Sequence, residues 1–216
     1  QPLLLTKLLV YNKSAQIIIE PNFVMRGCVF DCEIMSLCEQ AQSQFLMFFK
    51  IKTLSIADIY GGKICAALAR QHPRDLFDVK LLLENEGLTD KIRQAFIVYL
   101  VSNSRPIHEL LNPNPILHNL KQLFESGFVG MTKDEVLYDE LVQVRHNIIY
   151  RILNDLTLNE KQFIISVKNG APIWDLLPII GINTLPSLTW KILNIQKMDK
   201  IKHKESLNAL QKILQL

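Results

Sequence analysis

The residues best suited to chemistry are concentrated between positions 55 and 78, which read SIADIYGGKICAALARQHPRDLFD. The segment holds a glycine pair, one lysine, two arginines and three aspartates among side chains that are otherwise as apolar as a protein core. Charged side chains are rarely buried without partners, so this density needs an explanation. Lysine and arginine bind phosphate oxygens, and carboxylates can orient them. The pattern predicts a phosphate-handling site formed from Asp58, Lys63, Arg70, Arg74, Asp75 and Asp78.

The first half of this segment has the pattern of a helix that runs to about Arg70. Ser55 is a favourable N-cap, and Asp58 three residues later comes close to a capping box, so a purely structural role for Asp58 stays open. Lys63 shares a helical face with apolar neighbours such as Ile56. Its ammonium group must therefore reach solvent, pair with a carboxylate or meet a ligand anion.

Gly61 and Gly62 place two residues of low helix propensity inside this helix. Each glycine destabilises a helix interior by up to about 1 kcal/mol relative to alanine. Close approach of the helix backbone to another element or to a ligand would offset this effect, and both explanations stay open.

A second helix is predicted to begin at Pro73, which suits a first helical turn. Asp75 lies in that turn, where a carboxylate is favourable, and Arg74 and Asp78 are spaced to pair with each other. Asp75 and Asp78 also share a face, where they could form a buried charge cluster with Lys63. Such clusters are candidates for functional sites, although some are purely structural.

Residues 6–30 read as β structure, with two or three antiparallel strands. Apolar runs cover residues 8–11, 17–19, 23–25 and 28–30, and Asn12-Lys13-Ser14 is a turn signal. Glu20, at the end of the second run, is either a solvated carboxylate or a metal-binding carboxylate on a rigid strand. Residues 31–50 are predicted to form a loop and a short helix. So small a ribbon is marginally stable alone and needs more strands, a helix layer or another copy of itself.

The remainder of the chain is predicted to be a helical array. Its helix start signals are Thr89, Arg105-Pro106, Thr132 with Glu135, Thr157 with Glu160, and Pro186. Thr132 with Glu135 would cap a long helix through Ile152, and Pro186 would begin one long last helix. Trp174 and Trp190 are predicted to be core residues. The last helix carries a net positive charge, which is typical of a solvated face but could also attract RNA or an acidic protein.

Composition limits the classes of protein that fit. The 216 residues suffice for one or two domains. No apolar run approaches the roughly 18 residues of a membrane span, and no signal peptide is visible, so we expect a cytoplasmic protein without membrane segments. The four cysteines form no CxxC pair, which disfavours a zinc site and indicates reduced thiols. A net charge of +3 is too small to indicate nucleic-acid binding by itself.

These motifs together resemble the AbiEii/AbiGii nucleotidyltransferase toxin family. The resemblance is most specific across residues 54–63, 66–67 and 70–78, which contain all six charged residues of the predicted site at the spacing of the family. It continues at residues 87–90, 99–100, 105–106 and 109–111, and is traceable at 128–132, 166–168 and 190–191. It therefore covers most of the chain.

The resemblance implies an α+β fold, with residues 1–54 as part of a polymerase-β-like nucleotidyltransferase sheet and residues 55–216 as a mostly helical domain. It also implies a toxin of a toxin–antitoxin or phage-defence system that uses Mg²⁺ and a nucleoside triphosphate, GTP being favoured, with tRNA as a possible acceptor and a cognate antitoxin as a partner.

The resemblance also implies roles for individual residues. Lys63 would hold triphosphate oxygens, Asp75 would orient Lys63 or the acceptor, and Asp78 would support it. Arg70 and Arg74 would neutralise phosphate, and Asp58 would line the same pocket. Glu20 would be the third metal-binding carboxylate of the superfamily.

The sequence departs from the family pattern in its metal carboxylates. The Asp-x-Asp pair of the superfamily occurs nowhere in the 216 residues and would be expected before residue 1. Ala69 stands where aspartate is common, and Pro21 follows Glu20 where an apolar residue is usual. Because phosphoryl transfer relies on metal-bound carboxylates, we expect the chain alone to be inactive. The second hypothesis is a non-catalytic binding module that uses its exposed strand edges to associate with an antitoxin, an RNA or itself.

Overall fold

A computed structural model describes residues 7–20, 27–114 and 117–216. Its first element is an antiparallel hairpin of β1 (Leu8–Tyr11) and β2 (Gln16–Ile19), in which Leu8 is opposite Ile19. The side chain of Asn12 closes the turn by accepting hydrogen bonds from the backbone N–H groups of Ser14 and Ala15. This confirms the first two predicted strands. The apolar run at residues 23–25 lies outside the described residues.

Residues 28–30, predicted as a further strand, form an irregular segment instead. The reason is local, because the backbone N–H groups of Val29 and Phe30 donate to the carboxylate of Asp58 and are not available for a β ladder.

A second antiparallel pair begins in the segment predicted as a loop and a short helix and ends three residues after it. It consists of β3 (Glu33–Ser36) and β4 (Lys50–Thr53), which flank α1 (Glu39–Phe45). The short helix is thus confirmed, whereas the prediction that no strand occurs between residues 31 and 50 is wrong. The alternation of polar and apolar residues in Lys50-Ile51-Lys52-Thr53 is the strand signal that was missed. In the described residues each sheet has two strands, and the fold class is α+β, as predicted.

Helices make up most of the chain after residue 55. They are α2 (Ile56–Arg70), α3 (Pro73–Glu84), α4 (Asp90–Val101), α5 (Ile107–Leu111), α6 (Leu117–Gly127), α7 (Tyr138–Asp155), α8 (Leu158–Lys168), α9 (Pro186–Gln196) and α10 (Lys200–Leu214). Two short 3-10 turns, Trp174–Leu176 and Ile182–Thr184, connect α8 to α9. No helix within the described residues is both long enough and apolar enough to cross a bilayer.

The core forms where α2 packs against α3 and α4. A Cβ atom on Gly61 would lie 2.7 Å from the backbone nitrogen of Phe96 and 2.9 Å from Ala95, so the missing side chain lets α2 and α4 approach closely. A Cβ atom on Gly62 would meet nothing within 4 Å. Helix packing therefore explains Gly61, and Gly62 has no such explanation.

Two of the predicted helix starts are confirmed by their capping contacts. The Thr89 hydroxyl caps α4, and Thr157 with Glu160 forms a full capping box at α8. Glu160 also pairs with the buried Arg93 at 3.0 Å, so this cap connects α8 to α4.

The predicted cap at Thr132 and Glu135 is wrong, because α7 begins at Tyr138. The Thr132 hydroxyl donates instead to the backbone oxygen of Asp134 within a local turn. The prediction of one long last helix that begins at Pro186 is also wrong. Asp199 interrupts it by accepting hydrogen bonds from the N–H groups of Ile201 and Lys202, which starts α10. Trp190 is 54% exposed and not in the core, whereas Trp174 is partly buried against Phe163.

Candidate functional site

The predicted phosphate-handling segment forms a helical hairpin of α2 and α3 with a tightly held corner. Gln71 ends α2 in the left-handed conformation, with φ of 51°, and its N–H donates to the oxygen of Ala67. Its buried side chain donates to the oxygen of Asn114 and accepts from the guanidinium of Arg145. The ring nitrogen of His72 caps α3. These contacts fix the angle at which α3 leaves α2, and thereby position the charged residues on both helices.

Two ion pairs bridge the helices of this hairpin. Lys63 on α2 contacts Asp78 on α3 at 2.6 Å, and the two side chains are 39% and 35% exposed. Arg70 contacts Asp75 through two hydrogen bonds, Nε to Oδ2 at 2.9 Å and Nη2 to Oδ1 at 2.6 Å. Sequence reasoning therefore selected residues that do meet, but the partners differ from those expected. Asp78, and not Asp75, holds Lys63.

Arg74 makes different contacts from those suggested by its spacing. The i, i+4 pair with Asp78 does not form, since Asp78 is engaged by Lys63. The exposed guanidinium instead donates one long hydrogen bond, 3.4 Å, to the backbone oxygen of Gly127. No carboxylate pairs with it within the described part of the chain. Arg74 thus presents N–H donors to solvent one turn from Asp78.

The Tyr60 phenol lies near Asp78 and interacts with Glu86. The pKa of the Tyr60 phenol is raised, first by burial and then by the negative charges of Glu86 and Asp78. Tyr60 was recognised only as a neighbour of Lys63 on its helical face, and Glu86 was not identified. Glu86 lies beyond the end of α3 at Glu84, so helical spacing gives no signal for it.

Asp58 is placed in a purely internal set of contacts. It is 1% exposed, and its carboxylate accepts hydrogen bonds from the N–H groups of Val29 and Phe30 and from the hydroxyls of Ser55 and Tyr99. These four donors fully account for a buried carboxylate. Through these hydrogen bonds Asp58 connects three parts of the chain: the loop before β3, the start of α2, and α4. The contacts of Asp58 are therefore those expected of a purely structural role.

Glu20 lies at the end of β2, where it pairs with Lys7 at 3.3 Å and is largely exposed. Among the described residues no group of three or more His, Cys, Asp or Glu side chains is arranged to hold a metal ion. The described residues therefore offer no cluster that fits the Mg²⁺ ion that the resemblance implies. The α2–α3 hairpin, in contrast, offers Lys63, Arg70 and Arg74 as donors for phosphate oxygens.

Comparison with known proteins identifies the family. The sequence model of the nucleotidyl transferase AbiEii toxin family, of type IV toxin–antitoxin systems, matches residues 5–162. Searches of curated proteins and of solved structures find no match. The match spans both sheets and the α2–α3 hairpin, and it covers well over half of the 216 residues. The chain therefore belongs to the AbiEii nucleotidyltransferase toxin family, whose type IV systems pair a toxin with an antitoxin.

Proposed function

We propose that the chain contributes the triphosphate-binding face of a cytoplasmic toxin that transfers a nucleotide, with GTP as the donor, to an acceptor such as tRNA, and that a cognate antitoxin restrains it. The observation that carries this proposal is the Lys63–Asp78 pair across α2 and α3. One turn away lies the exposed guanidinium of Arg74, which pairs with no carboxylate of the described residues. Family membership supports nucleotidyl transfer, and the free thiols of all four cysteines fit a reducing compartment.

In this proposal Lys63 and Arg74 bind the phosphates directly. The ammonium group of Lys63 has three donors, of which Asp78 uses one, and a phosphate oxygen can take another. Asp78 keeps the ammonium group in place before the nucleotide arrives, so little side-chain entropy remains to be lost on binding. The exposed Arg74 can donate two parallel hydrogen bonds to one phosphate.

Arg70 and Asp75 have a supporting role. Their bidentate pair leaves part of the Arg70 guanidinium exposed, where it adds positive charge at the end of α2. Asp75 lies in the first turn of α3, and it also neutralises Arg70 in the absence of a ligand. The site thus offers three cations that are only partly neutralised until a polyphosphate binds.

Nucleotide transfer itself requires carboxylates that this sequence does not supply. The 216 residues contain no Asp-x-Asp pair, and Glu20 is engaged by Lys7. We therefore propose that these residues bind GTP but do not transfer it. Incubation with labelled GTP and bulk tRNA should give no labelled RNA, and labelled product would overturn this part of the proposal.

Nucleotide binding is tested with fluorescent GTP and the variant Lys63→Ala, because removal of the ammonium group should weaken binding about tenfold. Lys133→Ala is the matched control, since Lys133 is an exposed lysine outside the hairpin. An unchanged GTP affinity in Lys63→Ala would refute the assignment of the lysine to the triphosphate.

A second candidate function is supported by the two β hairpins. Every residue of β1 and β2 is exposed although most are leucine, valine or isoleucine. Phe45 at the end of α1 and the following Leu46, Met47, Phe48 and Phe49 are exposed too. Exposed apolar surface of this extent marks an interaction site. We propose that it binds a protein, either the antitoxin or a second copy of this chain. Light scattering should show self-association at high concentration, and a strict monomer would exclude the second copy.

A further inference from the structure

A cavity of about 400 Å³ lies where α5, α8, α9 and α10 meet. Its polar lining includes Lys168, Lys191, Lys202, His108, Glu109 and Glu205. Ile107, Ile195 and Met198 contribute apolar walls. No residue of the Lys63–Asp78 or Arg70–Asp75 pair lines it, and its three lysines lie after residue 162, where the family match ends.

Two of these lysines are buried without a carboxylate partner. Lys168 is 6% and Lys191 8% exposed, and neither forms an ion pair within the part of the chain that the structure describes. Lys168 Nζ contacts the sulfur of Met198, a weak acceptor, at 3.7 Å. Lys191 Nζ donates to the backbone oxygens of Asn103 and Arg105 at 2.5 and 2.9 Å. Each ammonium group has three donors, so N–H groups remain available at the cavity.

Burial makes these charges unfavourable in the empty cavity. It lowers the pKa of Lys168, and burial together with the charge of Lys168 lowers the pKa of Lys191 to about 8. Lys191 nevertheless carries most of its charge at pH 7. Burial also lowers the pKa of His108, so its ring is neutral at pH 7 and can exchange hydrogen bonds with a ligand. An anion in the cavity would remove the cost of two unpaired buried charges.

We propose that this cavity binds the phosphate group of a small phosphomonoester, with Lys168 and Lys191 as buried donors and Lys202 at the rim. A phosphate dianion matches the two ammonium groups in charge and accepts several hydrogen bonds. The cavity volume lies in the range of roughly 300–1,000 Å³ that is usual for small-ligand sites, so it has room for more than the phosphate alone. Glu109 and Glu205 suit the hydroxyl groups of a sugar and disfavour a more highly charged polyphosphate.

The test is calorimetric titration of the 216-residue chain at pH 7 with ribose 5-phosphate, inorganic phosphate and ribose. Ribose 5-phosphate should bind saturably and at least about threefold more tightly than inorganic phosphate, and ribose should not bind. Equal affinities for the two phosphates would overturn the phosphomonoester assignment in favour of free phosphate. Absence of saturable binding by ribose 5-phosphate would overturn the site.

Variants locate the binding to the cavity. Lys168→Met should weaken ribose 5-phosphate binding about tenfold, and Lys202→Met about threefold. Lys204→Met removes an exposed charge from the same helix outside the cavity and should change nothing. Lys63→Ala should also leave this binding intact, which separates the proposal from GTP binding at the α2–α3 hairpin. Unchanged affinity for ribose 5-phosphate in Lys168→Met would contradict the proposal. If that variant does not fold, equal affinities of Lys202→Met and Lys204→Met for ribose 5-phosphate would contradict it.

Discussion

Replacing Asp58 with asparagine tests whether its carboxylate stabilises the fold or binds a ligand. The amide has the same shape but only one acceptor oxygen, whereas the carboxylate serves Val29 and Tyr99 with Oδ1 and Phe30 and Ser55 with Oδ2. The hydroxyls of Ser55 and Tyr99 can rotate to accept from the new NH₂ group. The backbone N–H groups cannot, so either orientation of the amide leaves one of them facing another donor.

The size of the effect follows from this count. One buried N–H group without an acceptor destabilises the protein by about 1–3 kcal/mol, and the retained hydrogen bonds weaken because their acceptor is no longer charged. We expect Asp58→Asn to lower the free energy of unfolding by about 2–4 kcal/mol, and the thermal midpoint by about 6–12 °C for a chain of this size.

Urea unfolding followed by circular dichroism measures this change, and Asp78→Asn is the control. Asp78 is partly exposed and its pair with Lys63 is expected to contribute no more than about 1 kcal/mol. Asp58→Asn should therefore lower the free energy of unfolding and leave the GTP affinity of the folded protein unchanged. Asp78→Asn should nearly keep the free energy of unfolding and weaken GTP binding. Wild-type stability in Asp58→Asn combined with weaker GTP binding would refute the structural role.

Two further predictions concern helix packing and pH. Gly61→Ala should destabilise the fold by about 1–3 kcal/mol because its Cβ would overlap the backbone of Phe96. Gly62→Ala should be neutral or stabilise the fold by up to about 1 kcal/mol. Urea unfolding measures both variants, and equal changes in their free energies of unfolding would contradict the close α2–α4 contact. The pKa of Lys191 falls from its ordinary value of 10.5 in the unfolded chain to about 8 in the folded one. Between pH 8 and pH 10.5 the unfolded chain therefore binds one more proton than the folded chain. The free energy of unfolding should rise with pH over this range, by at most about 3 kcal/mol. The titratable groups around it are Cys65, His108, Glu109, Lys168, Lys202 and Glu205. The difference between wild type and Lys191→Met in urea from pH 7.5 to 9.5 isolates this contribution, and an identical pH dependence in both proteins would contradict it.

Local sequence patterns predicted the helices of the candidate site well. Ser55, Pro73 and the apolar spacing between them marked α2 and α3 because caps and periodicity are properties of neighbouring residues. The ion-pair partners could not be predicted in the same way. Asp75 and Asp78 share a face of α3, and the angle at the Gln71 corner decides which of them reaches Lys63.

Long-range contacts explain the remaining differences. Three of the four donors of Asp58 come from a loop 28 and 29 residues earlier and from Tyr99, which is 41 residues later, so no spacing rule relates them to Asp58. The cavity joins Lys168 and Lys191 across a loop and two short turns. Lys191 belongs to the predicted last helix, whose positive charge was interpreted as a solvated face. Strands β3 and β4 are four residues each, so the alternation in β4 is a short signal, and it was missed.

The preference for GTP over guanosine tests the central claim most directly, because it isolates the contribution of the triphosphate. The wild-type chain should bind GTP at least about tenfold more tightly than guanosine, and Lys63→Ala should lose most of that ratio while Lys133→Ala retains it. A GTP-to-guanosine ratio that is the same in wild type and Lys63→Ala would contradict the assignment of the α2–α3 hairpin as the triphosphate-binding face.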